Sequence, residues 1–267
     1  MCGRIVVTRP VDVLAAFFGA AEVVVGDRVP SWNVAPGAEI VAVAGTRSGR
    51  RLGTMRWGLV PSWSTDPGAG PKPINARVEG IVDRAIFADS LARRRCLVVV
   101  DAFYEWRRPA GGPKQPYLLD RADGSGDPFA LAGIWDRNDG EVSCAVVTGP
   151  ADDHLAWLHD RMPVRLDRHQ WDRWLDPAHH DVAALLDVLQ APSTVPLRAR
   201  PVGTRVNSAR NDGPELAEVL PGEIHPQLQM GRDPDACDVD AALGQVAAEL
   251  AERARTIGRD DVDLHIA

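Results

Sequence analysis

Residues 96–106 read CLVVVDAFYEW, and this stretch sets the expectation for the fold. The unbroken apolar run Cys96–Val100 is typical of a buried strand. Glu105 follows in a strand-like run between Tyr104 and Trp106. Working outward from here, comparable apolar runs predict further strands at Arg4–Val7, Glu39–Ala44, Phe129–Trp135 and Val142–Val147.

Apolar residues at helical spacing occur between these strands. They predict helices at Val11–Phe18, Val82–Leu91, Asp152–Leu158, Arg168–Leu175 and Asp181–Leu189. Strands and helices are interspersed without the regular spacing of βαβ units, which favours an α+β fold with mainly antiparallel pairing. Gly and Pro predict a loop over residues 61–73, and residues 121–127, RADGSGD, predict a polar hairpin turn.

The chain has 267 residues, of which 45% are hydrophobic and 25% are charged. This composition excludes disordered and collagen-like proteins and fits a single main domain. We expect that domain to span residues 1–230 and to be followed by a C-terminal extension over residues 231–267. Within the extension, residues 237–257 predict an acidic amphipathic helix.

Charge and cysteine content narrow the classes of function. The formal net charge is −7, but residues 1–110 carry +5 and residues 211–267 carry −9, so phosphate binding requires a local groove. The four cysteines form no CxxC pair, which argues against a zinc site or a disulfide framework. No apolar run reaches the ~20 residues that span a bilayer, and residues 1–12 lack a secretory pattern. We expect a cytoplasmic protein that uses no metal, no cofactor and no membrane.

Cys2 offers unusual chemistry if Met1 is removed. One residue then carries both an α-amine and a thiol, and the amine has a reference pKa of about 7.7–8.0. Such an amine attacks an aldehyde to form a Schiff base. The neighbouring thiol can then add to the imine carbon and close a five-membered thiazolidine ring, a geometry that only an N-terminal cysteine provides.

Several polar residues are embedded in short apolar or aromatic strings that follow the opening MCGR. The strings are WNVAP (32–36), WGLVPSW (57–63), NARVE (75–79), DAFYEW (101–106), AGIW (132–135) and HDRMPV (159–164). In this order they resemble the SOS response-associated peptidase family, also called abasic-site processing proteins, over about three-quarters of the chain. The resemblance implies a single α+β domain of mainly antiparallel sheet with flanking helices and a groove for single-stranded DNA.

The resemblance also implies an activity and a set of site residues. The mature N-terminal cysteine would react with the ring-opened aldehyde of an abasic site and form a stable thiazolidine DNA–protein crosslink. Removal of Met1 would be the peptidase step in the family name. Cys2 would be the nucleophile, and Asn75, Glu105 and His159 would complete the catalytic site.

The residue types suit these roles. His159 has an unperturbed pKa near neutrality and can move protons while the deoxyribose ring opens. Glu105 can pass protons during dehydration and ring closure, although a buried salt bridge is an alternative for it. The amide of Asn75 can hold the Cys2 amine or the sugar oxygen, or it can form an Asx-turn.

For DNA contacts the sequence favours arginines that lie beside the proposed catalytic residues, namely Arg4, Arg77 and Arg161. Trp63, at the start of the flexible loop, is the candidate for base stacking, whereas core packing is the stronger interpretation for Trp57. Asn33 is a candidate for a backbone contact, with a turn role as the alternative. The expected partner is single-stranded DNA that contains abasic sites, bound by a monomer.

Three other classes of function remain open from the sequence. A glutamine amidotransferase of the class that begins Met-Cys-Gly also uses a mature N-terminal cysteine, but HDRMPV has no place in it. A non-catalytic module for single-stranded DNA would use the arginines and tryptophans alone. A general protease lacks a recognisable Cys–His–Asn context. One departure from the family pattern is Asp152, which stands where an asparagine is expected.

Overall fold

The computed structural model describes residues 2–26, 30–66, 68, 70–108 and 112–221. The helix predicted over residues 237–257 and the domain boundary predicted at residue 230 lie outside these ranges, as does Met1. The helices of the described residues are α1 (Val11–Phe18), α2 (Ala85–Arg93), α3 (Trp171–Leu175) and α4 (Val182–Gln190). Single 3₁₀ turns occur at Val78–Gly80, Asp153–Leu155, Arg168–Gln170, Thr204–Asn207 and Pro214–Ala217.

The strands carry most of the fold. In chain order they are β1 (Ile5–Val7), β2 (Ala20–Val24), β3 (Ser31–Val34), β4 (Glu39–Thr46), β5 (Gly49–Trp57), β6 (Asn75–Arg77), β7 (Arg95–Val100), β8 (Ala102–Arg107), β9 (Gln115–Arg121), β10 (Phe129–Asn138), β11 (Glu141–Pro150), β12 (Arg161–Pro163), β13 (Arg165–Leu166) and β14 (Leu197–Pro201).

Within the described residues these strands form two sheets. The smaller sheet has the order β14-β9-β8-β1-β3, and the larger has the order β12-β11-β10-β7-β4-β5-β2, with β13 paired to β10 and β6 paired to β11. Pairing is mainly antiparallel, with parallel contacts between β2 and β5, β5 and β11, and β6 and β11. The architecture is the predicted α+β fold with mainly antiparallel sheet.

The main core includes residues from both sheets. Along β1, Ile5 and Val7 belong to this core, while Val6 between them belongs to a smaller cluster with Tyr104 and Val206. This division follows from the alternation of side chains across a strand. Cys2 precedes β1 and is itself fully buried in the main core.

The predicted strands and helices compare closely with the observed ones, with two differences. All five predicted strands occur, and Trp57 is buried as its strand-like context predicts. The helix predicted over Asp152–Leu158 is wrong, because this segment forms a 3₁₀ turn at Asp153–Leu155. The hairpin turn predicted at residues 121–127 is also wrong: β9 and β10 pair in different sheets, so the segment connects the sheets.

Candidate active site

Cys2 lies where the two sheets meet. The side-chain amide of Asn75, at the start of β6 in the larger sheet, donates a hydrogen bond of 2.8 Å to the Cys2 carbonyl. The Cys2 thiol lies 3.9 Å from the Arg4 carbonyl, and the Arg4 carbonyl accepts from the amide of Tyr104 on β8 in the smaller sheet. Cys2 is therefore held from both sides by strands that come from distant parts of the sequence.

Asn75 has a hydrogen-bonding atom to spare. Its Oδ1 atom is buried and accepts no hydrogen bond from the part of the chain that the structure describes. A buried amide oxygen without a donor is costly unless a ligand supplies one. Since the other end of the same amide donates to Cys2, this unused acceptor belongs to the surroundings of Cys2.

Glu105 lies on the opposite side of Cys2. It is buried, with 4% of its surface exposed, and its Oε1 atom accepts from the Trp106 amide at 3.1 Å. Burial raises the pKa of the Cys2 thiol well above its ordinary value, and the negative charge of Glu105 raises it further. The thiol is therefore protonated at neutral pH, and it needs a base nearby before it can act as a nucleophile.

His159 lies in the segment between the 3₁₀ turn and β12. Its Nδ1 atom accepts from the Arg161 amide at 3.0 Å and also lies 2.7 Å from the Asp160 carboxylate. An imidazole nitrogen accepts from an amide when it is bare and donates to a carboxylate when it carries a hydrogen. The ring is partly exposed.

Arg161 is already paired. Its two terminal nitrogens each donate to one carboxylate oxygen of Glu79 at 2.8 Å, and one of them also donates to the Thr148 carbonyl at 2.8 Å. This bidentate contact lowers the pKa of Glu79. A phosphate group uses the same fork geometry, so DNA binding to Arg161 would have to displace Glu79.

Arg77 is the accessible arginine of the β6 strand. It is exposed, and its guanidinium has no hydrogen bond or ion pair among the described residues. It pairs with Thr148 in the parallel ladder between β6 and β11, on which Pro150 pairs with Arg161. Arg77 on β6 and Arg161 on β12 therefore lie on two strands that both pair with β11. Their sequence positions beside Asn75 and His159 suggest the same proximity.

Arg4 and Asn33 act on each other. Arg4 donates to Asn33 Oδ1 at 3.0 Å and to the Val206 carbonyl at 2.6 Å. The Asn33 amide donates to the carbonyls of Ser208 at 2.9 Å and Asn211 at 2.7 Å, and Asn33 is 4% exposed. The polar atoms of Asn33 are thus occupied within the protein, where they position Arg4, and its DNA contact stays a prediction.

Trp63 is 63% exposed, in the loop that follows β5, as a stacking platform requires. The loop is fixed by Asn138, whose amide donates to the carbonyls of Pro61 at 3.0 Å and Ser64 at 2.9 Å.

Asp152, the departure from the family pattern, accepts from Arg165 at 2.7 Å. Asp152 therefore has a structural partner.

Sequence reasoning missed an aromatic group beside Glu105. Tyr117 pairs directly with Glu105 across β8 and β9, and its ring meets Trp157 edge-on with centroids 5.1 Å apart. The guanidinium of Arg107 lies 5.4 Å from the centre of the Trp157 ring. The signal that would have found Arg107 is its position two residues after Glu105, which places both side chains on one face of the strand.

No helix in the ranges that the structure describes has the length and apolar character needed to cross a membrane. In the same ranges, no cluster of three or more His, Cys, Asp or Glu side chains has the arrangement of a metal site.

Comparison with known proteins places this geometry in context. Residues 1–209 match the profile of the SOS response associated peptidase (SRAP) family. The abasic site processing protein YoqW of Bacillus subtilis is 34% identical over 224 residues, covering 82% of this chain and 99% of that protein. YoaM of the same organism, also named an abasic site processing protein, is 34% identical over 231 residues, covering 84% and 100%. A crystal structure of a Bacteroides thetaiotaomicron protein has the same fold, with a TM-score of 0.69, 20% identity and coverage of 82% and 100%.

Proposed function

The chain belongs to the SOS response-associated peptidase family, and from this premise we propose that it protects abasic sites in single-stranded DNA. After removal of Met1, Cys2 reacts with the aldehyde of the abasic sugar and forms a thiazolidine crosslink. The names of YoqW and YoaM, abasic site processing proteins, support a role in the response to DNA damage. The observation that carries the proposal is the enclosure of Cys2 between Asn75 and Glu105.

The chemistry follows from the protonation state of Cys2. Because the thiol is held neutral by burial and by Glu105, the α-amine is the first nucleophile. The amine nitrogen attacks the C1′ carbon of the open-chain sugar, and the resulting carbinolamine loses water to give an imine. Sγ then adds to the imine carbon, its proton passes through Glu105 to the imine nitrogen, and a ring with a secondary amine results. Aldehyde and aminothiol thus give thiazolidine and one water.

The other polar groups assist these steps. Asn75 Oδ1, which has no donor among the described residues, accepts a hydrogen bond from the Cys2 amine and aligns it. His159 moves the proton that opens the sugar ring, since histidine is the side chain best suited to proton transfer near neutral pH and this ring is partly exposed. Cleavage before Cys2 is the peptidase activity, and proteolysis is confined to Met1.

DNA is held by local positive charge despite the net charge of −7. Arg77 contacts a phosphate directly, Arg161 does so after release from Glu79, and Arg4 adds positive charge beside Cys2. Trp63 stacks on a base. We place the protein in the bacterial cytoplasm as a monomer, with residues 1–230 as the reacting domain and residues 231–267 as a separate extension.

Intact-mass measurement tests the proposal. The purified chain is expected to lack Met1, and mixing it with an oligonucleotide that carries one abasic site should add the oligonucleotide mass minus one water. Cys2→Ala should give no adduct that survives heat, although borohydride should trap an imine formed by its remaining amine. Cys144→Ala removes a different buried thiol and should crosslink normally. Full retention of Met1 in reactive protein, or a heat-stable adduct of normal yield from Cys2→Ala, would refute the mechanism.

A further inference from the structure

Arg107 is a half-buried arginine whose guanidinium is held against an aromatic ring but has no carboxylate hydrogen-bonded to it among the described residues. It lies two residues after Glu105 on β8, and its guanidinium stacks on Trp157 at 5.4 Å from the ring centre. Among the described residues, no carboxylate or carbonyl oxygen accepts a hydrogen bond from it. Arginine suits such a position, since it stacks on an aromatic ring through its plane while its N–H edge stays available for an anion.

The stack is tied to the candidate active site. Trp157 packs edge-on against Tyr117, whose backbone pairs with Glu105. Trp157 also precedes His159 by two residues. The side chain of Arg107 thus reaches from β8, the strand that carries Glu105, to the segment that carries Trp157 and His159. With a rise of about 3.3 Å per strand residue, the Cα atoms of Glu105 and Arg107 lie about 6.6 Å apart.

The other side of Cys2 has the same arrangement. There Asn75 holds Cys2, and Arg77 follows two residues later on β6. Each strand that reaches Cys2 therefore presents a polar group to it and then an arginine on the same face. Neither guanidinium donates a hydrogen bond to a carboxylate within the described residues, although the positive charge of Arg77 helps to lower the pKa of the nearby Glu79.

We propose that Arg107 binds a phosphodiester group next to the abasic sugar, on the side of Cys2 opposite the phosphate that Arg77 is proposed to contact. The assignment rests on the proposed function and adds to it the class of ligand at Arg107. A phosphodiester fits because it is anionic, it lies one backbone unit from the sugar, and it accepts two parallel N–H bonds from a guanidinium. The stack on Trp157 reduces the freedom that Arg107 loses on binding.

The test uses binding to an oligonucleotide that carries tetrahydrofuran in place of the abasic sugar. This analogue has no aldehyde, so binding is measured without crosslinking. We expect Arg107→Gln to weaken binding about tenfold and to reduce the salt dependence by about 0.7 in slope, the value for one phosphate of a single strand. Arg108→Gln is the matched control, because Arg108 is exposed and lies one residue beyond the end of β8. Arg107→Lys should restore part of the slope.

Neutral methylphosphonates identify the phosphate. Placing one on either side of the tetrahydrofuran should weaken wild-type binding, and one of the two positions should have no further effect in Arg107→Gln. The other position should lose its effect in Arg77→Gln. Additive losses at both positions in Arg107→Gln, or an equal loss of slope in Arg108→Gln, would overturn the assignment. Wild-type crosslinking to true abasic DNA is scored separately, so a failed crosslink and a failed phosphate contact are distinguishable.

Discussion

Replacing Asn33 tests whether this residue positions Arg4, as its hydrogen bonds indicate, or binds DNA directly. Its amide donates to the carbonyls of Ser208 at 2.9 Å and Asn211 at 2.7 Å, and its oxygen accepts from Arg4 at 3.0 Å. A neutral hydrogen bond contributes about 1 kcal/mol to stability, and a bond to a charged group about 1.5–3 kcal/mol. Since Arg4 keeps its bond to the Val206 carbonyl, we expect Asn33→Ala to lower the free energy of unfolding by about 3 kcal/mol.

Urea denaturation measures this change as a lower midpoint with an unchanged slope. The corresponding loss in melting temperature is about 6–12 °C for a domain of this size. Asn138→Ala is the matched control, because that amide also donates to several backbone carbonyls and has no contact with Arg4. Normal stability of Asn33→Ala, together with a reduced salt slope for DNA binding, would refute a positioning role and support the predicted DNA contact of Asn33.

Glu105→Gln is expected to have opposite effects on two reactions of Cys2. Loss of the negative charge lowers the pKa of the thiol, so iodoacetamide at pH 8 should alkylate Cys2 faster. Crosslinking should slow by about 10²–10⁴-fold, because proton transfer through Glu105 is lost. Both rates are measured by mass spectrometry, and a parallel fall in the two would contradict this role. Glu79→Gln should free Arg161 and tighten binding to single-stranded DNA by about threefold in fluorescence anisotropy, consistent with the small net value of exposed ion pairs. Weaker binding by Glu79→Gln would instead show that the pair holds Arg161 in place. Truncation after Gly231 should leave the crosslinking yield unchanged, and a large loss in a truncated chain with a normal melting curve would assign the tail to the site.

The sequence predicted those parts of the fold that depend on local pattern. Cys96–Val100 and Phe129–Trp135 are buried strands because unbroken apolar runs have few other stable environments. Strand β9 was missed, since its apolar run is short and contains Pro116. Asp152–Leu158 has helical spacing, yet Asp152 pairs with Arg165 and the segment makes only a 3₁₀ turn.

The candidate site divides in a similar way. Residue identity and family resemblance grouped Cys2, Asn75 and Glu105, and the structure brings these three together, while their catalytic roles stay predictions. The sequence did not indicate that Arg161 pairs with Glu79, because Arg161 is equally suited to a carboxylate and to a phosphate. Tertiary contacts decide such choices, and no local spacing encodes them.

Because Cys2 lies between the two sheets, its reactivity depends on how closely the sheets pack against each other. Asn75 reaches it from one sheet and β8 from the other, and behind them the rings of Phe103 and Phe129 meet with centroids 6.4 Å apart. A slight separation of the sheets would leave each ladder of hydrogen bonds intact and yet pull the Asn75 amide away from the Cys2 carbonyl and the Glu105 carboxylate away from the thiol. Mild denaturant should therefore stop crosslinking by Cys2 at concentrations where the circular dichroism of the strands is still native.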